Sequence, residues 1–141
     1  MEILKAWLDV SVMGILGLMS FVTVWMAVER MLFYRKVDLA SFTTEEELRI
    51  ELTNNLTMIS TIGSNAPYVG LLGTVFGIML TFYEIGDSGA LAVGEIMKGL
   101  AMALKATALG LAVAIPAIIA YNGLMRRADS LSAIWVARRG R

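Results

Sequence analysis

Residues 106–125, ATALGLAVAIPAIIAYNGLM, form a stretch of 20 residues without a charged side chain. Lys105 precedes this stretch and Arg126 follows it. A helix rises about 1.5 Å per residue, so about 20 apolar residues are needed to cross a hydrocarbon core of about 30 Å. The length and composition of the stretch therefore predict a helix that spans a membrane.

Two more uncharged stretches lie earlier in the chain, at residues 10–28 and 52–83. Trp7 and Trp25 stand near the ends of the first one, where aromatic side chains often mark the membrane–water interface. We therefore predict an all-α membrane protein with three transmembrane helices, at about residues 8–30, 62–84 and 100–125. Residues 1–141 would form a single domain, because only short polar segments separate the three helices.

The composition fits a membrane protein better than a soluble one. Hydrophobic residues make up 57% of the chain and charged residues 17%, against about 25% charged in an ordinary soluble domain. The 12 basic and 12 acidic residues cancel, which gives no indication of a nucleic-acid partner. Cysteine and histidine are absent, which excludes disulfides, thiolate and imidazole chemistry and the usual zinc sites. We expect the chain to have no enzymatic activity and to bind no cofactor or metal. We expect membrane lipid to surround its helices.

The distribution of basic residues predicts the orientation, because Lys and Arg are retained on the cytoplasmic side. The first link and the C-terminal tail are rich in them: Arg30, Arg35, Lys36 and Arg49, and then Arg126, Arg127, Arg138, Arg139 and Arg141. The N-terminus has only Lys5 and the second link only Lys98. We therefore expect a retained N-terminal anchor with its N-terminus in the periplasm, and a cytoplasmic C-terminus.

The first link itself should be a short charged helix. Ser41, Thr43 and Thr44 precede three consecutive glutamates at residues 45–47. Hydroxyl side chains are preferred N-caps, and acidic residues favour the first turn of a helix. A small cytoplasmic portion, made of this link and the tail, is thus predicted.

One face of the second helix and one face of the third are lined by small and polar residues. On the second helix these are Gly63, Pro67, Gly70, Thr74, Gly77, Thr81 and Glu84, and on the third they are Gly99, Ala103, Thr107, Gly110, Ala114 and Ala117. Small residues allow membrane helices to pack closely. The same residues are also compatible with the wall of a central space that holds water, an ion or another helix. Periodicity alone leaves both interpretations open.

Charged residues near the membrane segments are few. Lys105 lies at the edge of the third segment, where its side chain can reach water along its own stem. No Asp or Glu lies inside the three predicted membrane cores. Since a proton-driven device normally needs a carboxylate at depth, another polypeptide would have to supply that group.

Two motifs resemble a known family. Residues 63–79, GSNAPYVGLLGTVFGIM, are similar to the second-helix signature of the ExbB/TolQ/MotA proton-channel family. Residues 103–111, ALKATALGL, followed by AIPA at 114–117 and by Tyr121-Asn122, are similar to the third helix of that family. Together the motifs cover about half of the chain.

The resemblance implies a homopentameric ring whose second and third helices surround a pore. The pore would hold membrane helices of an ExbD-type single-span partner that carries the protonatable aspartate. Such a complex sits in the bacterial inner membrane and uses proton-motive force to energise a TonB-type protein for transport across the outer membrane. The resemblance places Thr74 and Thr107 in the pore wall. The other predicted pore-wall residues lie on the same small-residue faces: Gly70, Gly77, Ala103, Gly110 and Ala114.

The chain departs from the family pattern at two positions. Met102 stands where many relatives have glutamate, and Lys105 stands where an apolar residue is usual. Met102, Lys105 and Tyr121 are candidate contacts to the partner. Two alternatives remain: a TolQ-like subunit for outer-membrane integrity and cell constriction, and an ion channel that needs no partner.

Overall fold

Three long helices and one short helix account for most of the chain. Helix α1 is Glu2–Lys36, a 3₁₀ turn follows at Leu39–Ser41, and α2 is Glu45–Leu52. Helices α3 and α4 are Leu56–Ser88 and Val93–Arg139. The structure, a computed structural model, describes residues 2–89 and 92–140, so Arg141 of the basic tail lies outside the described residues.

The predicted number of membrane-spanning helices is confirmed. Helices α1, α3 and α4 are each long and apolar enough to cross a membrane. They contain 35, 33 and 47 residues, so every one is longer than the segment expected to lie in the membrane. At about 1.5 Å per residue, α4 is about 70 Å long and projects well beyond a bilayer core.

The short elements between the long helices follow local sequence signals. The Thr44 hydroxyl accepts a hydrogen bond from the backbone N–H of Glu47 over 3.1 Å, so Thr44 is the N-cap of α2 as the sequence suggested. Asn55 adopts a left-handed backbone conformation (φ 70°) just before α3 begins. Gly89, with φ 76°, ends α3, and glycine adopts this conformation without a steric penalty.

In the membrane-length part of the molecule, α3 packs along α4 while α1 lies against both. Leu16, Ala66 and Ala114, one from each long helix, form a small buried cluster there. Large apolar side chains on the other side of α1 remain exposed, among them Leu18 and Phe21 at 63% and 60%. Exposed apolar surface of this kind suits contact with lipid.

A second buried cluster joins the ends of the long helices to α2, and we call it the link cluster. Its buried members are Tyr34, Leu39, Leu48, Leu52, Leu56, Ile59, Leu124, Ala128 and Leu131. Leu48 and Leu52, the two buried residues of α2, are fully inaccessible. Helix α2 is thus anchored by apolar burial on one face, while Glu46, Glu47 and Glu51 are exposed.

Candidate functional site

The site begins at Gly70 and Gly110, where the backbones of α3 and α4 are in close contact. A Cβ atom added to Gly70 would lie 3.0 Å from the Cα of Gly110 and 2.6 Å from the carbonyl oxygen of Ala106. A Cβ atom added to Gly110 would lie 2.7 Å from the carbonyl oxygen of Ala66. Because these neighbours are backbone atoms, only glycine fits on both sides of the contact.

The close approach brings two hydroxyl groups together one turn further along. The hydroxyl of Thr74 on α3 donates a hydrogen bond to the carbonyl oxygen of Ala103 on α4 over 2.9 Å. It is also hydrogen-bonded to the hydroxyl of Thr107. We call Thr74 and Thr107 the threonine pair, and it is a polar connection between two helices at membrane depth.

The structure brings most of the predicted pore-wall residues together inside one chain. Gly70, Ala103, Gly110 and Ala114 are buried, and Thr74 is 6% exposed. Gly77 and Thr107 are half-buried, so they are the members of the set with the most surface left for contact outside the chain. Their role as a pore wall stays a prediction.

The three candidate partner contacts lie in different surroundings. Met102 is 52% exposed on α4, and Lys105 is exposed one turn further along the same helix. Tyr121 is half-buried and packs against the link cluster. Met102 and Lys105 therefore offer free surface to a partner, whereas Tyr121 is already engaged within the chain.

The sequence did not predict an ion pair that the structure shows at the N-terminal end of α1. The Nζ atom of Lys5 lies 2.8 Å from Oε2 of Glu84, and the two side chains are 36% and 25% exposed. The available signal was topological: two antiparallel helices place Lys5 and Glu84 at the same end of the bundle. The pair ties the beginning of α1 to the end of α3.

Across 2–89 and 92–140, no group of three Asp or Glu side chains is placed to hold a metal ion. The chemistry that the threonine pair can offer is hydrogen bonding: each hydroxyl both donates and accepts, which suits contact with water or with a protonated group.

The chain is similar in sequence to known proteins. The sequence profile of the MotA/TolQ/ExbB proton channel family matches residues 21–137. The chain is 55% identical over 132 residues to the biopolymer transport protein ExbB of Helicobacter pylori strain J99, an alignment that covers 94% of this chain and 91% of that protein. It is 51% identical over 140 residues to the ExbB of Aquifex aeolicus, covering 99% and 95%.

A protein of the Tol-Pal system matches over a shorter region. The TolQ of Pseudomonas aeruginosa is 43% identical over 91 residues, which is 64% of this chain but 38% of that protein. The similarity to the ExbB proteins of these two bacteria thus extends over nearly the whole length of both chains. The similarity to TolQ is partial, as is that to the ExbB of Neisseria gonorrhoeae, which is 46% identical over 71 residues and 32% of its own length.

Proposed function

This chain belongs to the MotA/TolQ/ExbB proton channel family, and we propose that it is the channel-forming subunit of an inner-membrane motor complex driven by proton-motive force. With an ExbD-type partner, the complex would energise a TonB-type protein for transport across the outer membrane. The observation that carries the proposal is the threonine pair, which sets two hydroxyl groups between membrane-length helices that contain no carboxylate in their cores. Since the role is transport, we assign the chain no enzymatic reaction.

The missing carboxylate supports a two-component mechanism. A hydroxyl group can relay a hydrogen bond, but it neither gains nor loses a proton near neutral pH. A carboxylate that gains and loses a proton within the membrane is therefore needed. We infer that an aspartate on the ExbD-type partner supplies it, and that Thr74 and Thr107 hydrogen-bond to that group or to water beside it.

We propose a homopentameric ring in which α3 and α4 of each copy face the central pore and α1 faces lipid. Thr107, which is half-buried, would present its edge to the pore, with Thr74 behind it. Gly70, Gly77, Ala103, Gly110 and Ala114 would complete the wall chiefly by keeping α3 and α4 close. This assignment agrees with the exposed apolar side chains on α1.

The extent of similarity favours the TonB branch over the Tol branch. Relatives named ExbB from two bacteria match over more than 90% of their own lengths, whereas the TolQ match covers 38% of that protein. Met102 and Lys105, exposed on α4, are the positions at which we expect contact with partner helices.

Proton uptake into vesicles tests the mechanism. We expect vesicles that contain this chain with its ExbD-type partner to take up protons, and vesicles that contain this chain alone to take up none. Thr74→Val and Thr107→Val keep the side-chain volume but remove the hydroxyl, so uptake should fall at least tenfold while the native mass of the complex is unchanged.

The matched control is Thr74→Ser, which keeps the hydroxyl and should retain most of the uptake. Full uptake by the chain alone would show that no partner carboxylate is needed. Wild-type uptake in both valine variants would remove the threonine pair from the mechanism.

A further inference from the structure

A cavity of about 390 Å³ lies between α1, α3 and α4, at the end of the bundle that holds the N-terminus of α1. We call it the N-terminal cavity. Its entrance is charged, since Lys5, Asp9, Glu84, Glu95 and Lys98 line it. A volume of this size is within the range of small-molecule sites and is enough for a group of water molecules.

The positive and negative charges at the entrance do not cancel. Three carboxylates and two ammonium groups line the cavity, which leaves one net negative charge. Lys5 is 2.8 Å from Glu84, so its positive charge is already offset within the pair. A cleft of this kind raises the local concentration of cations and lowers that of anions.

The inner part of the cavity is bounded by Ala103, which contacts the threonine pair, although neither threonine lines the cavity itself. Ala103 lines the cavity, and its carbonyl oxygen accepts the hydrogen bond from Thr74 over 2.9 Å. Thr81, which also lines the cavity, is 2% exposed and donates a hydrogen bond to the carbonyl oxygen of Gly77 over 2.9 Å. Thr81 thus adds a polar side chain to the cavity wall between the charged entrance and Ala103.

We propose that the N-terminal cavity is a hydrated, cation-favouring vestibule through which protons reach the threonine pair from the side of the membrane that holds the N-terminus. The proposal rests on the proton-channel function proposed above and adds an entry route within each single chain. The threonine pair is the end of this route, and the carboxylates at the entrance set the sign of the ions that enter.

A lipid acyl chain is the competing occupant, because apolar side chains such as Leu8, Val12 and Leu80 also line the cavity. Five charged residues at the entrance would lose hydration against such a chain, at a free-energy cost. The phosphate group of a lipid would in addition meet a net negative entrance. The charge distribution therefore favours water and cations.

Thiol accessibility tests the vestibule directly, because the chain contains no cysteine of its own. Leu80→Cys places a thiol in the cavity wall, about 6 Å below Glu84 along α3. Val10→Cys is the depth-matched control: it lies about 7.5 Å below Lys5 along α1, and Val10 is 67% exposed on the outside of the bundle.

We expect a membrane-impermeant methanethiosulfonate, added to the assembled complex from the N-terminal side of α1, to modify Leu80→Cys at least tenfold faster than Val10→Cys. A thiol in contact with lipid ionises poorly and reacts slowly. Equal rates at the two positions, or protection of Leu80→Cys by lipid or by a neighbouring copy, would overturn the proposal.

The sign of the reagent tests the charge at the entrance. Each reagent's rate with Leu80→Cys is divided by its rate with a small free thiol. At low salt this ratio should be several-fold higher for a cationic reagent than for an anionic one, because one net negative charge acts over a few ångströms of water. Adding Glu95→Gln removes the net charge of the entrance and should bring the cationic and anionic rates close to each other. The control Glu46→Gln on α2 should leave the difference between the two rates unchanged. Without Glu95→Gln, a cationic ratio equal to or below the anionic one would contradict a cation-favouring entrance.

Proton flux separates this proposal from the function on which it rests. Modification of Leu80→Cys by the cationic reagent in the assembled complex should lower proton uptake at least fivefold, and reduction of the mixed disulfide should restore it. Undiminished uptake after complete modification would overturn the vestibule alone. Absence of uptake by the wild-type complex would instead contradict the proton-channel function.

Discussion

At the scale of single residues, the Thr74 hydroxyl is held by partners on the neighbouring helix. Its bonds to the Ala103 carbonyl oxygen and to the Thr107 hydroxyl leave little rotational freedom to the side chain. Hydroxyl groups fixed in this way are oriented before any proton or partner arrives. Precise placement of the threonine pair then depends on the distance between α3 and α4.

That distance is set by Gly70 and Gly110, and we predict that Gly70→Ala and Gly110→Ala destabilise the protein by about 1 to 3 kcal/mol, as overpacking usually does. The added methyl group would lie within 3.0 Å of backbone atoms of the facing helix in both variants, so the helices must separate. Thermal unfolding of the detergent-solubilised protein would measure the loss.

Gly123→Ala on α4 is the matched control for this prediction. No heavy atom lies within 4 Å of the methyl group that it would add, so the higher helix propensity of alanine is its main effect. An unfolding temperature that is equal or higher for all three variants would show that α3 and α4 do not need the glycine contact.

The small-residue faces illustrate what a single sequence can predict at this scale. The sequence located the faces on both helices and left open whether they serve packing or a pore, because both uses require small side chains. The structure shows that Gly70, Ala103 and Gly110 pack α3 against α4 within one chain. Which neighbour a helix face meets is decided by the whole bundle, and periodicity carries no information about it.

At the scale of elements, α2 is held in place by side chains of α1. Arg30, which is 3% exposed, donates a hydrogen bond from Nη1 to the carbonyl oxygen of Glu51 over 2.6 Å. The Tyr34 hydroxyl donates to the carbonyl oxygen of Leu52. The last carbonyl groups of a helix lack partners within it, so α1 caps the C-terminal end of α2.

We predict that Tyr34→Phe lowers stability by about 1 to 2 kcal/mol, since the buried Leu52 carbonyl oxygen loses its side-chain donor. The loss should be local, and amide hydrogen exchange within Glu45–Leu52 should accelerate more than exchange within α3. Tyr68→Phe is the control, because Tyr68 is 67% exposed on α3. Unchanged exchange in α2 of the Tyr34→Phe protein would show that the cap is dispensable.

Local sequence signals predicted one end of α2 and not the other. Thr44 and the glutamates of residues 45–47 form a familiar N-terminal pattern, and the structure confirms the cap. The caps at the C-terminal end come from Arg30 and Tyr34, more than 15 positions away along the chain. Long-range capping of this kind depends on how α1 packs beside α2, so no local pattern indicates it.

At the scale of the whole molecule, the three long helices were the most predictable feature. A stretch of about 20 uncharged residues predicts a membrane-spanning helix directly, because the thickness of the bilayer core fixes the length that such a helix needs. The true helices run further, since α4 alone contains 47 residues. The extra turns of α4 lie on both sides of its uncharged stretch, where polar and apolar residues are mixed and the thickness of the bilayer no longer sets the length of the helix.

We predict an orientation with the N-terminus of α1 in the periplasm, from the excess of basic residues at the other end of the bundle. Single cysteines at Asp87 and Ser130, near opposite ends, provide the test. Asp87→Cys should be labelled by an impermeant reagent in intact spheroplasts and Ser130→Cys only in inverted vesicles. The reverse pattern would mean that the distribution of arginine and lysine does not govern insertion of this chain.

The length of α4 gives the molecule a lever arm. About 50 Å of continuous helix separates Ala106, at membrane depth, from Arg139, so a tilt of about 5° near the threonine pair would shift the far end by about 4 Å. Arg139 donates a hydrogen bond to the Phe42 carbonyl oxygen over 2.6 Å, just ahead of α2. A small tilt of α4 inside the membrane would thus displace the segment around Phe42 and the start of α2.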